Sequence, residues 1–320
     1  EAQTATVAAA VHAPQGKCLL TFAPIKVEAS PGISHVTCTA PWRDPLCWSP
    51  DRPRLLRLTT HVTCGEVLDT THERFGFAEW YPEGRRYMLN GKPVTLFASH
   101  SLDPLEYDRI KRREGMNSVR SPGTFDTLDA CDEQGIAIRG IYVAGYGHDE
   151  DTYLGVQREQ TLAMMRYYYN HPAMFLWAVG NELGYHSVGP NLKLRAYYRD
   201  LIMEMQDLDP ARASSSDGDQ DMWGASEIWS IHYPHEAKYE EPNRGYFVKE
   251  GVELMDWFAH PAYGGKKPVL MTELFTGGLG GPDWYAPLMG DAAYTPMGPF
   301  DGYKLFARWR MQAYREQGVA

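Results

Sequence analysis

The sequence has no apolar run long enough to span a bilayer: the longest clear one, Met174 to Val179, falls far short of the ~20 residues a membrane helix needs. It has no Lys/Arg tract beyond Lys111-Arg112-Arg113, and 31 basic against 41 acidic residues give a net charge of −10. No membrane surface and no nucleic acid are therefore expected as partners. It has no Cys-x-x-Cys among its five cysteines, which argues against a structural zinc site. Cys18, Cys38 and Cys64 fall in strand-like runs and read as buried free thiols. The first ten residues lack a basic region before an apolar one, so no signal peptide is visible. No Gly-x-Gly-x-x-Gly follows the first strand of the second half, which weakens a dinucleotide-binding doubly wound sheet. What is present is an ordinary globular composition, 43% hydrophobic and 22% charged, over 320 residues. That length suggests about two domains.

The texture changes near residue 90. Before it, short runs of near-alternating pattern (Cys18–Phe22, Ile25–Glu28, His35–Cys38, Leu55–Cys64, Val67–Thr70) are separated by Pro/Gly turns. They predict a small antiparallel β-sandwich over 1–85, linked onward through Phe75-Gly76-Phe77 and Tyr81-Pro82-Glu83-Gly84. From 86 to 320, strand and helix patterns alternate. Strands are expected at Val94–Ser99, Met116–Arg120, Ile136–Val143, Met174–Val179, Ala213–Ser216, Ile228–His232 and Val269–Met271. Helices are expected at 125–134, 156–169, 190–206, 248–259 and 303–317. Parallel βαβ units follow from this order. Seven units averaging about 32 residues match the spacing of a (β/α)8 TIM barrel, here read as a fragment with strand eight missing.

Two strand ends carry chemistry. The fourth runs Met174-Phe175-Leu176-Trp177-Ala178-Val179-Gly180 into Asn181-Glu182; the seventh runs Val269-Leu270-Met271-Thr272 into Glu273. The glutamates are 91 residues apart, three units at about 30 residues each. Strands four and seven face each other across a barrel mouth, so both carboxylates should enter one cleft. A carboxylic acid and a carboxylate across a cleft suit glycosidic bond cleavage, one protonating the leaving oxygen and the other attacking the anomeric carbon. A strand-end glutamate can instead satisfy open N–H groups at the start of the next helix. Two at matching strand ends favour chemistry.

Several blocks carry a resemblance. Trp48-Ser49-Pro50-Asp51-Arg52-Pro53, Gly65-Glu66-Val67-Leu68-Asp69 and Arg74-Phe75-Gly76-Phe77 resemble the end of the immunoglobulin-like domain of family 2 glycoside hydrolases. Leu89-Asn90-Gly91-Lys92-Pro93, Gly115-Met116-Asn117-Ser118-Val119-Arg120 and Asp129 to Gly135 resemble the first part of that family's barrel. Asn170-His171-Pro172 running to Gly180-Asn181-Glu182 resembles the acid/base motif of its beta-galactosidase, beta-glucuronidase and beta-mannosidase group.

The resemblance implies a retaining beta-glycosidase, beta-galactosidase-like, acting on a carbohydrate substrate with no cofactor and no metal. It implies Glu182 as acid/base, Glu273 as nucleophile and Asn181 as a bond to the sugar 2-hydroxyl. It further implies Arg120 holding Glu273 ionised, Tyr233 orienting Glu273, and His232 lining the pocket. His100, ending strand one, and Trp284, with Tyr285 in the Gly-rich loop 277–285, are candidate sugar contacts, the loop a candidate lid. Ser121-Pro122-Gly123-Thr124 stands where the family usually has a histidine. The family's front jelly-roll domain and its eighth strand are absent from the sequence. Those departures favour the alternative, a non-catalytic carbohydrate-binding relative or an inactive fragment. A metal-dependent hydrolase would want His-x-His on strand one, and Ser99-His100-Ser101 supplies one histidine.

Overall fold

A computed structural model describes residues 3–99, 103, 106, 107, 111, 115–121, 125–140, 149–183, 191–232, 265–273 and 281–316. The chain forms two compact units. One comprises Glu1–Ala78, Phe97–Arg139 and Arg166–Phe175; the other comprises Glu79–Leu96, Gly140–Met165 and Leu176–Ala320. Among the described residues no helix is long and apolar enough to cross a membrane.

The first unit begins with strands β1 (Gln3–His12), β2 (Cys18–Thr21), β3 (Ile25–Ala29), β4 (Leu56–Cys64) and β5 (Val67–Phe75). They form one antiparallel sheet, in which β1 pairs with β2, β3 and β4, and β4 pairs with β5. The expected strand at His35–Cys38 does not form. Residues 30–55 contain Pro31, Pro41, Pro45, Pro50 and Pro53, each lacking the N–H a ladder needs. No second sheet of a sandwich therefore faces the first among the described residues. The thiols follow suit. Cys18 and Cys47 are exposed and Cys38 and Cys64 half-buried, while Cys131 alone is buried, where desolvation pushes its thiol well above the ordinary range.

In the same unit, short parallel strands β9 (Ala98–Ser99), β10 (Ser118–Arg120) and β11 (Ala137–Gly140) occupy the first three expected barrel positions. Helix α1 (Phe125–Gln134) joins the last two, with the expected bounds. Asp132 on α1 is buried and gathers the unit together. Its carboxylate accepts the Ala173 N–H at 3.0 Å and lies 2.7 Å from His171 Nδ1, while its carbonyl accepts the Trp48 indole N–H at 2.8 Å. Arg74, ending β5, reaches Asp129 and Glu133 and stands 3.8 Å from Asp132. Gly76 lies against Pro172, where a Cβ would fall 2.8 Å from the ring.

The second unit opens with the antiparallel trio β6 (Trp80–Glu83), β7 (Arg86–Leu89) and β8 (Lys92–Val94). The expected linker Tyr81–Gly84 is thus a hairpin, with Gly84 at φ +57° in its turn, and it straddles the expected boundary at 85/86. Helix α2 spans Asp151–Tyr168, beginning before its expected start at 156 and running on into the first unit. Strand β12 (Met174–Asn181) begins in the first unit and runs on in the second, every residue through Gly180 buried. In the second unit it pairs in parallel with β13 (Ala213–Asp217). Helix α3 (Leu192–Leu208) lies between them in sequence, started by Asn191, whose side chain accepts the Lys193 and Leu194 N–H groups. Its buried Leu194, Tyr198, Leu201, Ile202 and Met205 follow the helical period. Buried Asp209 takes the Trp177 indole N–H at 2.7 Å, and the Arg212 guanidinium stacks 4.6 Å over the Trp177 ring.

Strands β14 (Trp229–His232) and β15 (Val269–Glu273) form a second parallel pair. No helix separates β13 from β14. Residues 218–228 make the connection through a chain of turns, with Gln220, Met222, Trp223 and Gly224 in the left-handed region. The expected helix 248–259 lies outside the described residues. Helix α4 (Pro282–Met289), with proline at its first position, and helix α5 (Gly298–Glu316) close the chain. Of the candidate lid 277–285, residues 281–285 are described, and they open α4. Tyr285 sits on α4, only 6% exposed, over Gly302 of α5, whose Cβ would fall 2.3 Å from its ring. Small-residue packing between helices, not stacking on a ligand, accounts for that tyrosine.

Candidate active site

Three strand ends of the second unit converge. Glu182 follows β12, His232 ends β14 and Glu273 ends β15. His232 and Glu273 are register partners on adjacent parallel strands, just past an irregularity after Ile231, so both side chains project from the same edge. Glu182 arrives differently. The β12–β13 ladder is irregular between Ala178 and Asn181, and Glu182 adopts φ +54°. A non-glycine residue in the left-handed region costs on the order of 1 kcal/mol and persists only when its surroundings impose it. Here the Glu182 N–H is held by the Asp217 carbonyl at 2.7 Å, and the next N–H, from Leu183, by Asp219 Oδ2 at 2.8 Å. The backbone is pinned on both sides of the glutamate.

The side chains form a chain of contacts. Glu182 Oε1 lies 2.8 Å from His232 Nδ1, and Glu273 Oε1 lies 3.8 Å from His232 Nε2. One oxygen from each carboxylate and one ring nitrogen all fall within 4.8 Å of one another. The imidazole is sealed from solvent, whereas each glutamate side chain keeps 23% of its exposure. Two carboxylates thus reach solvent from either side of a buried ring. The histidine sits between them, at hydrogen-bond distance from Glu182 and not from Glu273. A second carboxylate–histidine group, Asp129, Asp132 and His171, already receives the Arg74 guanidinium as its positive charge.

Asn181, half-buried, precedes Glu182 at the end of β12 and pairs with Asp217 in the ladder. Arg120 ends β10 in the first unit, half-buried. Tyr233 and His100 lie outside the described residues, and Trp284 is placed only as a member of α4, its side chain undescribed. The His171 half of the Asn-His-Pro motif serves packing, through Asp132, at the start of β12.

One supporting residue escaped the sequence reading. Gly218, at φ +78°, lies flat against the imidazole: a Cβ there would fall 2.7 Å from both Cγ and Nδ1 of His232. Its N–H donates to Ser230 Oγ at 3.0 Å, which in turn lies 2.9 Å from Thr272 Oγ1. The Asp217-Gly218 pair is an ordinary turn signal, and nothing in the sequence joins it to a histidine fourteen residues on.

Known proteins resemble this chain. The family model "Glycosyl hydrolases family 2, TIM barrel domain" matches residues 108–289, more than half the chain. "Beta-galactosidase BgaC" of Bifidobacterium adolescentis is 25% identical over 262 residues, covering 71% of this chain and 23% of that protein. A beta-galactosidase of Thermoanaerobacter pseudethanolicus is 27% identical over 157 residues, covering 42% and 21%. Among solved structures, a family 2 beta-galacturonidase from Eisenbergiella tayi bound to galacturonate aligns with TM-score 0.65 at 22% identity, over 84% of this chain and 51% of that one. A beta-glucuronidase of Parabacteroides merdae aligns with TM-score 0.59 at 23% identity, over 72% and 31%. The chain spans between a fifth and a quarter of the length of these two curated relatives. The strand–helix order from β9 to α5 is that of a TIM-barrel α/β fold, and the chain belongs to family 2 of the glycoside hydrolases.

Proposed function

We propose that this chain carries the catalytic pair of a retaining beta-glycosidase acting on terminal beta-galactosides, with Glu182 as acid/base and Glu273 as nucleophile. The observation that carries the reading is the approach of the two carboxylates to within 4.8 Å, oxygen to oxygen. Retaining enzymes hold their carboxyl groups about 5–5.5 Å apart, and inverting ones about 6.5–9.5 Å, leaving room for a water. The close approach of Glu182 and Glu273 supports the retaining member of that pair.

In the first step Glu273 Oε attacks the anomeric carbon. The glycosidic C–O bond breaks with its electron pair going to the leaving oxygen, which takes the proton of Glu182. A glycosyl ester on Glu273 results. In the second step water attacks the same carbon, Glu182 takes the water's proton, and the ester bond breaks to return Glu273 as carboxylate. Each carboxylate ends as it began. Asn181 is suited to bond the sugar 2-hydroxyl, a contact that strengthens as the ring flattens. The roles given to Arg120, Tyr233, His100 and Trp284 rest on the family resemblance.

A 2-deoxy-2-fluoro-β-galactosyl fluoride tests the reading, because the 2-fluorine slows both steps while the good leaving group, fluoride, restores the first alone, so the glycosyl ester accumulates. The expected result is stoichiometric inactivation of the full-length protein, with one fluorosugar mass added to the peptide containing Glu273. Label on another residue, or binding without label, overturns it, the latter in favour of a carbohydrate-binding relative. The second reading is a terminal beta-uronide. It is favoured by a "Putative beta-glucuronidase" of Formosa agariphila, 24% identical over 263 residues and 71% of this chain. Running 4-nitrophenyl galactoside, glucuronide and galacturonide side by side decides between the two.

A further inference from the structure

We infer that His232 is a positioning residue that fixes which of the two glutamates carries the proton. This rests on the retaining reading above and assigns its division of labour to one buried ring. A neutral imidazole has one N–H and one lone pair, on opposite nitrogens. Here each nitrogen faces a different carboxylate: Nδ1 meets Glu182 at 2.8 Å, and Nε2 faces Glu273 at 3.8 Å. The ring can offer N–H to both only as an imidazolium, which would leave no proton on Glu182 for the leaving oxygen.

Two arrangements follow. With Glu182 protonated, its O–H donates to Nδ1, and the ring N–H then sits on Nε2, turned to an ionised Glu273. That is the state the first step needs. With Glu182 ionised, the N–H must move to Nδ1, and the Nε2 lone pair then faces Glu273. That repels a carboxylate but is tolerable once Glu273 is esterified and neutral, which is the state of the intermediate. The tautomer therefore alternates with the covalent state of Glu273. The proton added at one nitrogen and removed at the other nets to none in the ring. In that intermediate Glu182 relays a proton from solvent to Nδ1, and the Nε2 proton leaves to water at the exposed edge of the esterified Glu273, one proton entering as one departs.

The ring is also held to this task. Gly218 presses on its face with no Cβ to intrude, and the Ser230–Thr272 hydroxyl pair fixes the Gly218 N–H. Among the described residues, the titratable groups around it are Glu182 from the end of β12, Glu273 from β15, and Asp217 and Asp219, which flank Gly218 after β13. Asp219 is occupied by the Leu183 N–H and the Ser216 hydroxyl.

The test is a pH profile of kcat/KM on the full-length protein and on His232→Phe, which keeps a ring and removes both nitrogens. We expect a ~10- to 100-fold fall in kcat/KM carried by kcat, not KM. We also expect the bell to narrow from both sides. An equal fall with both limbs in place is a purely structural effect and overturns the inference, as does no fall. Because losing a buried ring can disturb folding, the second measurement uses the unmodified protein with ¹⁵N-labelled histidine. The His232 nitrogen shifts should report Nε2–H in the free enzyme and Nδ1–H in the fluorosugar-trapped enzyme. One unchanged tautomer overturns the inference while leaving the trapped ester, and so the retaining reading, intact. Failure to trap or turn over any glycoside instead fells the reading beneath both.

Discussion

Glu182→Gln is expected to lower kcat/KM about 10³- to 10⁴-fold for alkyl β-glycosides and less than about tenfold for a 2,4-dinitrophenyl glycoside. The difference lies in the leaving oxygen. An alkoxide is a strong base and cannot depart without the proton that the proposed acid supplies. Dinitrophenolate is a weak base and departs without one. The second step has no such escape, since glutamine cannot take a proton from water, so kcat should fall even for the activated substrate. KM should fall with it as the glycosyl ester accumulates. Added azide, which needs no base, should restore turnover and give the β-glycosyl azide. Steady-state kinetics across leaving groups reads all of this. A uniform loss for every leaving group would show Glu182 serving the site in some way other than as its acid.

The second large effect is on stability and lies at Asp132. Its carboxylate is 2% exposed and is approached by the Ala173 N–H, the His171 ring and the Arg74 guanidinium. Asp132→Ala removes the acceptor and leaves those groups facing a void. Breaking a buried charged network in this way costs about 3–5 kcal/mol, or a fall of roughly 10 °C in melting temperature measured by calorimetry. Asp132→Asn should cost clearly less. Burial, the largest influence, pushes this carboxyl above the usual carboxylate range, with His171 and Arg74 only partly offsetting it. The charge itself is therefore the dispensable part, and the acceptor oxygen is not. The sign follows for pH. A carboxyl that holds its proton more tightly folded than unfolded favours the fold at acid pH, and that contribution is lost as pH rises through its raised value. The asparagine variant should lose this slope.

Much of this was legible in the residues. The barrel-type strands and helix α1 fall where hydrophobic period and turn signals put them, because long buried runs such as Met174 to Val179 admit few alternatives. Glu182 and Glu273 were singled out by the same logic, since a buried strand ending abruptly in an acid is a local pattern. What failed was set by distant contacts or by backbone conformation. His35–Cys38 looks like a strand until its proline neighbours are counted as missing donors. Tyr285 looks like a sugar platform until Gly302, seventeen residues away, is seen beneath it. Cys18, Cys38 and Cys64 read as buried only if a second sheet covers them. His232 was expected to line the pocket, yet its contacts with two carboxylates depend on a register shift and on Gly218, neither of which leaves a mark in the sequence.

The left-handed backbone at Glu182 sets stability against the proposed activity at a single codon. Glycine would sit there without strain and leave the ladder to Asp217 unbroken, so a library screened for heat tolerance alone would be rewarded for discarding the proposed acid. Any effort to harden this protein has to hold that position fixed and look for its gains elsewhere.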